Sequence, residues 1–171
     1  NDIIVSTDSE KIQSLVNEYG DYAPFIRPYE LATDSAGSLG VIQHGLEWAE
    51  TNYNKKYDYI VLLEPPSPFR LPIHIKQAID VAIDKQATSV VSLIEVGDYH
   101  PIRMKKMNSD GKLKGVLNEE PNGIRRQEQE PIYIRNCAVY VFPSKTINNN
   151  ELWGRRPFGF KMDKTLYGIN I

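Results

Sequence analysis

The sequence predicts an α/β fold, a three-layer sandwich around a mostly parallel sheet, with a more irregular arm after about residue 100. Three observations carry this. Short apolar runs at Ile3-Ile4-Val5, Tyr59 to Leu63 and Ser89 to Val96 have the length of buried strands. Stretches of helical periodicity lie between them, and strands alternating with helices form right-handed βαβ units. Beyond the third run the pattern changes to short extended segments around turn residues.

The elements follow in order. Asp2 to Ser6 reads as a short strand, an apolar triplet between polar ends. Thr7 and Glu10 have the spacing of a capping box. Ile12, Leu15, Val16 and Tyr19 then share one helical face, and Gly20 is placed to end that helix. Phe25-Ile26 is a brief extended piece stopped by Arg27-Pro28. Asp34 or Ser35 can cap a second helix, with Leu39, Ile42, Leu46 and Ala49 or Tyr53 inward. After the strand at Tyr59 to Leu63, Pro72 suits the first turn of a third helix. Its Ile75, Ala78, Ile79 and Ala82 repeat at helical spacing. In the arm, Arg103 to Lys106 and Lys112 to Leu117 flank a Ser109-Asp110-Gly111 turn and read as a hairpin. Tyr133-Ile134, Ala138 to Phe142 and Phe158 to Met162 read as further strands. No repeat, low-complexity tract or interdomain linker interrupts the chain, so one domain is expected.

Composition narrows the function. The 171 residues are 41% hydrophobic and 25% charged, with a formal net charge of -2. That balance lacks the basic field that holds a nucleic-acid backbone, so no nucleic-acid partner is expected. No apolar run approaches the ~20 residues of a membrane helix, so no membrane partner is expected either. The single Cys137 precludes an internal disulfide and a cysteine zinc site, and suits a reducing cytoplasm. The chain opens Asn1-Asp2-Ile3 and stops at Ile169-Asn170-Ile171, which this reading expects to be cut ends.

Ligands of open α/β sheets bind beyond the carboxyl ends of strands, which here are Ser6-Thr7-Asp8, Glu64 to Arg70 and the loop after Val96, and three constellations along the chain can carry chemistry. LLEPPSPFR, from Leu62 to Arg70, places a proline-braced loop after an apolar strand, able to hold Glu64 and Ser67 in fixed positions. Read alone, it is equally a rigid turn into the next helix. RPYELATDSAGS, from Arg27 to Ser38, puts an arginine and small hydroxyl residues at a helix start, which suits an anion or sugar hydroxyls. Plain capping is the competing account. RRQEQEPIYIRN, from Arg125 to Asn136, sets Arg126 and Arg135 around a polar turn that feeds a strand. Guanidinium groups grip carboxylate or phosphate in two-pronged fashion. A solvated mixed-charge loop is the alternative. His44 and His74 fall within helices, facing solvent or a satisfied contact, and His100-Pro101 opens the arm.

Taken in order, VSTDSEKI, FIRPYELATDSAGS, LLEPPSPFR, SVVSLIEVGDYHP and RRQEQEPIYIRNCAVY resemble the acylneuraminate cytidylyltransferases over nearly the whole chain. The resemblance implies a Rossmann-like α/β domain whose protruding arm, about residues 100–131, is exchanged across a homodimer. It implies transfer of CMP from CTP to a sialic-type nine-carbon α-keto acid sugar, with release of pyrophosphate and Mg2+ as cofactor. By motif, Arg27 and Ser38 meet the cytidine end of the nucleotide. Glu64, where the family has glutamine, lies near both nucleotide and sugar. Arg126 takes the sugar carboxylate with Arg135 close by, Asn136 and Tyr140 shape the sugar pocket, and Asn170 falls at a metal-binding position that is acidic in the family. Cys137 stands where the family has glycine. The family's leading strand, phosphate-binding loop and helix, on the order of 40–50 residues, have no counterpart here. The 171 residues alone are therefore expected to be inactive in transfer. The same departures admit two other readings: transfer to a legionaminic, pseudaminic or shorter keto-deoxy acid, or an inactive remnant that binds a sugar acid or dimerises.

Overall fold

A computed structural model of the chain describes residues 2–117 and 129–163. Among them are four α-helices, α1 (Glu10–Asn17), α2 (Ser38–Tyr53), α3 (Pro72–Asp84) and α4 (Ser144–Asn148). Six strands are β1 (Tyr59–Leu62), β2 (Ser89–Glu95), β3 (Lys105–Met107), β4 (Leu113–Gly115), β5 (Tyr133–Pro143) and β6 (Pro157–Lys161). Four of them form one sheet in the order β1-β5-β2-β6. The expected α/β class holds, and α3 connects two strands that are not neighbours, since β5 lies between them.

Several local expectations need correction. Asp2 to Ser6 forms no ladder strand. Its extended backbone is tied by the Val5 N–H to Tyr22 O at 2.7 Å and by a single parallel bridge between Thr7 and Ile26. Ser9, not Thr7, caps α1, accepting from the Ile12 N–H, while the Thr7 hydroxyl turns back to the Ser9 N–H at 3.2 Å. No residue of α1 is buried, and Ile12 and Leu15 of its apolar face are exposed. Gly37 caps α2 in place of Asp34 or Ser35, because residues 33–36 are spent in a turn. There the Ala36 N–H donates to Thr33 O, and the Thr33 and Ser35 hydroxyls meet each other at 3.2 Å. The two strand pieces expected around residue 136 are one strand, β5. α4 was not foreseen; it is only five residues long and is entered directly from β5 at Pro143.

The described residues divide into two compact units. The first comprises Asn1–Leu62, Ile79–Val90 and Val141–Phe158. Its core takes Ile42, Leu46 and Ala49 from the inward stripe of α2, with Ala82, Val90, Phe142 and Ile147. Phe25 packs edge-on against the His44 ring at a centroid distance of 4.6 Å and lies 5.5 Å from the Trp48 ring. The Ser144 hydroxyl donates to Tyr57 O and its N–H to Asp58 O, pinning α4 beside the start of β1. Gly154, at φ +65°, is required twice over: the backbone is left-handed, and a Cβ would fall 2.5 Å from the Thr88 Cβ.

The second unit comprises Leu63–Ala78, Val91–Tyr140 and Gly159–Ile171. Val91, Ile94, Ala138, Val139 and Met162 form its core. Its arm holds the expected hairpin. β3 and β4 pair antiparallel with Lys105 opposite Gly115 and Met107 opposite Leu113. Asn108 closes the turn by accepting from the N–H groups of Asp110 and Lys112, and Gly111 supplies the left-handed residue. At the base of the arm the His100 Nδ1 accepts from the Ile102 N–H at 3.3 Å, which leaves Nε2 as the donor to Glu130 O at 3.1 Å.

Candidate active site

The second unit brings Glu64, Arg135, Asn136 and Tyr140 of the expected site together on one loop and one strand. The loop runs from Glu64 to Arg70. Pro65, Pro66 and Pro68 offer no N–H, so backbone ladders cannot hold it. Side chains do so instead. The buried Ser67 hydroxyl donates to Asn136 O at 2.7 Å. The Arg70 guanidinium donates to Ala138 O at 2.6 Å and to Glu64 O at 2.5 Å. The loop is thereby fastened to β5 at the two carbonyls on either side of Cys137.

Cys137 explains why β5 differs there from a regular strand. Its φ is +57°, a left-handed conformation that side-chain-bearing residues adopt at a cost. Two residues further on, the Val139 N–H is met by the fully buried Ser92 hydroxyl at 2.8 Å. That bond keeps a buried donor satisfied where the strand is bent.

Around this kink lies a charged and polar cluster. Tyr140 is buried, and burial raises its phenol well above the ordinary range. A hydrogen bond with the Cys137 side chain and the Glu64 carboxylate push in the same direction, while Arg135 opposes them. Glu64, Cys137, Arg135 and Tyr140 are thus close enough to share one electrostatic environment. Asn136 is buried, its side-chain amide N–H directed to the Met162 sulfur at 3.4 Å and its backbone carbonyl taken by the Ser67 hydroxyl. Arg70 joins the site although its sequence position assigns it no role beyond ending the loop. The signal available was its place at the end of a loop with too few backbone donors. Burial lowers its pKa, and the Glu64 carboxylate partly restores it.

Arg27 and Ser38 belong to the first unit. Arg27 donates its backbone N–H to Thr7 O, and its guanidinium lies 3.5 Å from the Asp8 carboxylate. Its buried Nε has no hydrogen-bond partner among the described residues. Ser38 is exposed and is the first residue of α2, beside a Gly37 cap that supplies no side-chain acceptor. The amide donors of this helix start therefore remain available to a ligand. Arg126 and Asn170 lie outside the described residues. A groove along α2, bounded by residues such as Gln43, Glu47 and Lys55, contains none of the residues above.

Among the described residues no three His, Cys, Asp or Glu side chains converge on a point. Glu64 is the carboxylate of the cluster. One carboxylate suits Mg2+ that stays bound mainly through water and nucleotide phosphates.

No family model matches the chain. It is 42% identical to the N-acylneuraminate cytidylyltransferase of Escherichia coli over 95% of its own length and 37% of that protein. It is 30% identical to the CMP-N,N'-diacetyllegionaminic acid synthase of Legionella pneumophila, over 91% of this chain and 66% of the relative. The chain spans well under half the length of the N-acylneuraminate cytidylyltransferases it matches. A solved CMP:2-keto-3-deoxy-manno-octonic acid synthetase complexed with CTP shares its fold, with a TM-score of 0.60 at 13% identity, over 95% of this chain and 73% of that one. No helix among the described residues is long and apolar enough to cross a membrane. The ordered set of motifs, the loop and strand they build, and these similarities place the chain in the acylneuraminate cytidylyltransferase family.

Proposed function

We propose that the protein transfers CMP from CTP to a sialic-type nine-carbon α-keto acid sugar. The observation that carries this reading is the convergence of Glu64, Arg135 and Tyr140 on a loop and strand fastened at two points. The anomeric hydroxyl of the sugar acid attacks the α-phosphorus of CTP, the bond to the β-phosphate oxygen breaks, and pyrophosphate leaves. Catalysis of this kind rests on positioning and on fixed charge. Arg126 grips the sugar carboxylate, and Arg135 reinforces the positive potential beside it. Asn136 and the protonated phenol of Tyr140 shape the pocket wall. Glu64 orients donor groups of the sugar or the nucleotide. Arg27 and the start of α2 at Ser38 receive the cytidine end. When bound with the nucleotide, Mg2+ would supply charge neutralisation at the phosphates, with Glu64 as the one carboxylate of the cluster able to help hold it.

The reading extends to a cytoplasmic homodimer. Met107 and Leu113 face each other on the hairpin with 72% and 60% of their surfaces exposed. A two-stranded ribbon of this size has no core of its own, so an apolar pair on it favours a second surface as its cover. The test is incubation of the complete protein with CTP, Mg2+ and a panel of sialic, legionaminic, pseudaminic and eight-carbon keto-deoxy acids. A CMP-sugar is expected from at least one nine-carbon acid. Failure to form a CMP-sugar from CTP with every acid of the panel would refute the reading.

A further inference from the structure

We infer that Arg70 is a positioning residue for the transfer reaction, an inference that rests on the function proposed above. Arg70 has its two carbonyl acceptors on different pieces of backbone. Glu64 O lies at the head of the proline loop, and Ala138 O lies on β5 just past the Cys137 kink. The loop between Glu64 and Arg70 contains three prolines, and its one internal backbone bond, from the Ser67 N–H to Glu64 O, is long at 3.5 Å. Without the guanidinium, the carbonyl that fixes the Glu64 backbone keeps only that long bond. The Glu64 carboxylate would then lose its bearing on Tyr140.

Ser67 supplies the second fastening, at Asn136 O, so the loop is clamped on both sides of Cys137. These bonds consume only backbone carbonyls, so none of them occupies the Glu64 carboxylate. A guanidinium suits this task and an ammonium does not, since its planar fork presents two donors in fixed directions while Lys offers a single point. Arg70 thus acts through Glu64 and the 135–140 segment. Misplacement of a reacting group by about 1 Å costs on the order of 100-fold in rate, so the effect falls on turnover more than on stability.

The experiment compares Arg70→Lys, Arg70→Met and Ser67→Ala with wild type in the complete protein. Thermal melts, separate kcat and KM values for CTP and sugar acid, and amide hydrogen exchange are recorded for each. Arg70→Lys is expected to fold, to keep its KM for CTP within about threefold, and to lose about 10- to 100-fold in kcat. Arg70→Met is expected to lose more than Arg70→Lys. Exchange at Ser67 and Arg135 to Cys137 should quicken in both. Ser67→Ala removes one fastening and should show the same pattern more mildly, which keeps the test open if Arg70→Met fails to fold. Unchanged kcat and unchanged exchange in a folded Arg70→Lys would overturn the inference, as would equal losses for Lys and Met that track melting temperature alone. A wild type that makes no CMP-sugar would instead overturn the proposed function, and hydrogen exchange would still decide whether Arg70 clamps the loop.

Discussion

Cys137 offers a direct measure of backbone strain at the centre of the candidate site. Its φ of +57° places a Cβ in the left-handed region, which costs about 1–2 kcal/mol for an L-residue. Cys137→Ala and Cys137→Gly both remove the thiol that bonds Tyr140, so the comparison between them isolates the Cβ. Glycine escapes the left-handed penalty but loses roughly 0.5–1 kcal/mol more backbone entropy than alanine on folding. The difference leaves Gly more stable than Ala by about 0.5–1 kcal/mol. With a urea slope of about 1–3 kcal/mol per molar, the midpoint of Cys137→Gly should lie about 0.2–1 M above that of Cys137→Ala. Cys137→Val, branched at Cβ, should fall below both by a further ~1 kcal/mol or more. Equilibrium urea unfolding with matched slopes is the assay. An order in which Ala exceeds Gly would refute the assignment of a left-handed kink in β5.

Three further outcomes follow from the same geometry. Ser92→Ala removes the hydroxyl that meets the Val139 N–H in the core, and should cost about 1–3 kcal/mol in urea unfolding, the penalty of an abandoned buried donor. Arg126→Ala in the complete protein should weaken the sugar acid by roughly 30-fold or more, the equivalent of about 2–5 kcal/mol, with a far smaller change for CTP; Arg126→Lys should rescue only part of this in steady-state kinetics with each substrate varied. His74 is buried and its pKa is lowered from 6.5 by desolvation, so the folded state favours the neutral ring. Its Nδ1 accepts from the Leu71 N–H at the head of α3. A depressed folded pKa means its contribution is fully present above about pH 6.5 and is lost as pH falls through the folded value, so His74→Gln should flatten the acid limb of a stability-versus-pH curve below that point.

The stretch from Leu62 to Arg70 was the most legible part of the site. Three prolines after an apolar run leave few backbone donors, and that arithmetic already requires side chains to fix the loop. Which side chains do so was hidden, because Arg70 and Ser67 find their acceptors at residues 136 and 138, nearly seventy positions away. The kink at Cys137 was hidden for a different reason. Cysteine carries no preference for positive φ, and only the glycine at that place in the resembling family hinted at it. Helix α2 was readable from its Ile42, Leu46 and Ala49 stripe, whereas its start was not. Asp34 and Ser35 are both good caps by type, and only the competing turn at residues 33–36 moves the start to Ser38. The Asp2 to Ser6 run had the composition of a strand, but composition does not reveal whether a ladder partner is present.

The most direct test of the account follows the phosphorus atoms of CTP in the complete protein. CTP labelled at the α-phosphorus and CTP labelled at the γ-phosphorus are each incubated with the preferred nine-carbon sugar acid and Mg2+. Attack on the α-phosphorus predicts that the α-label appears in the sugar product and the γ-label in pyrophosphate, in equal amounts. A γ-label in the sugar product, or an α-label that remains in free CMP while the sugar acid is unconsumed, would contradict nucleotidyl transfer.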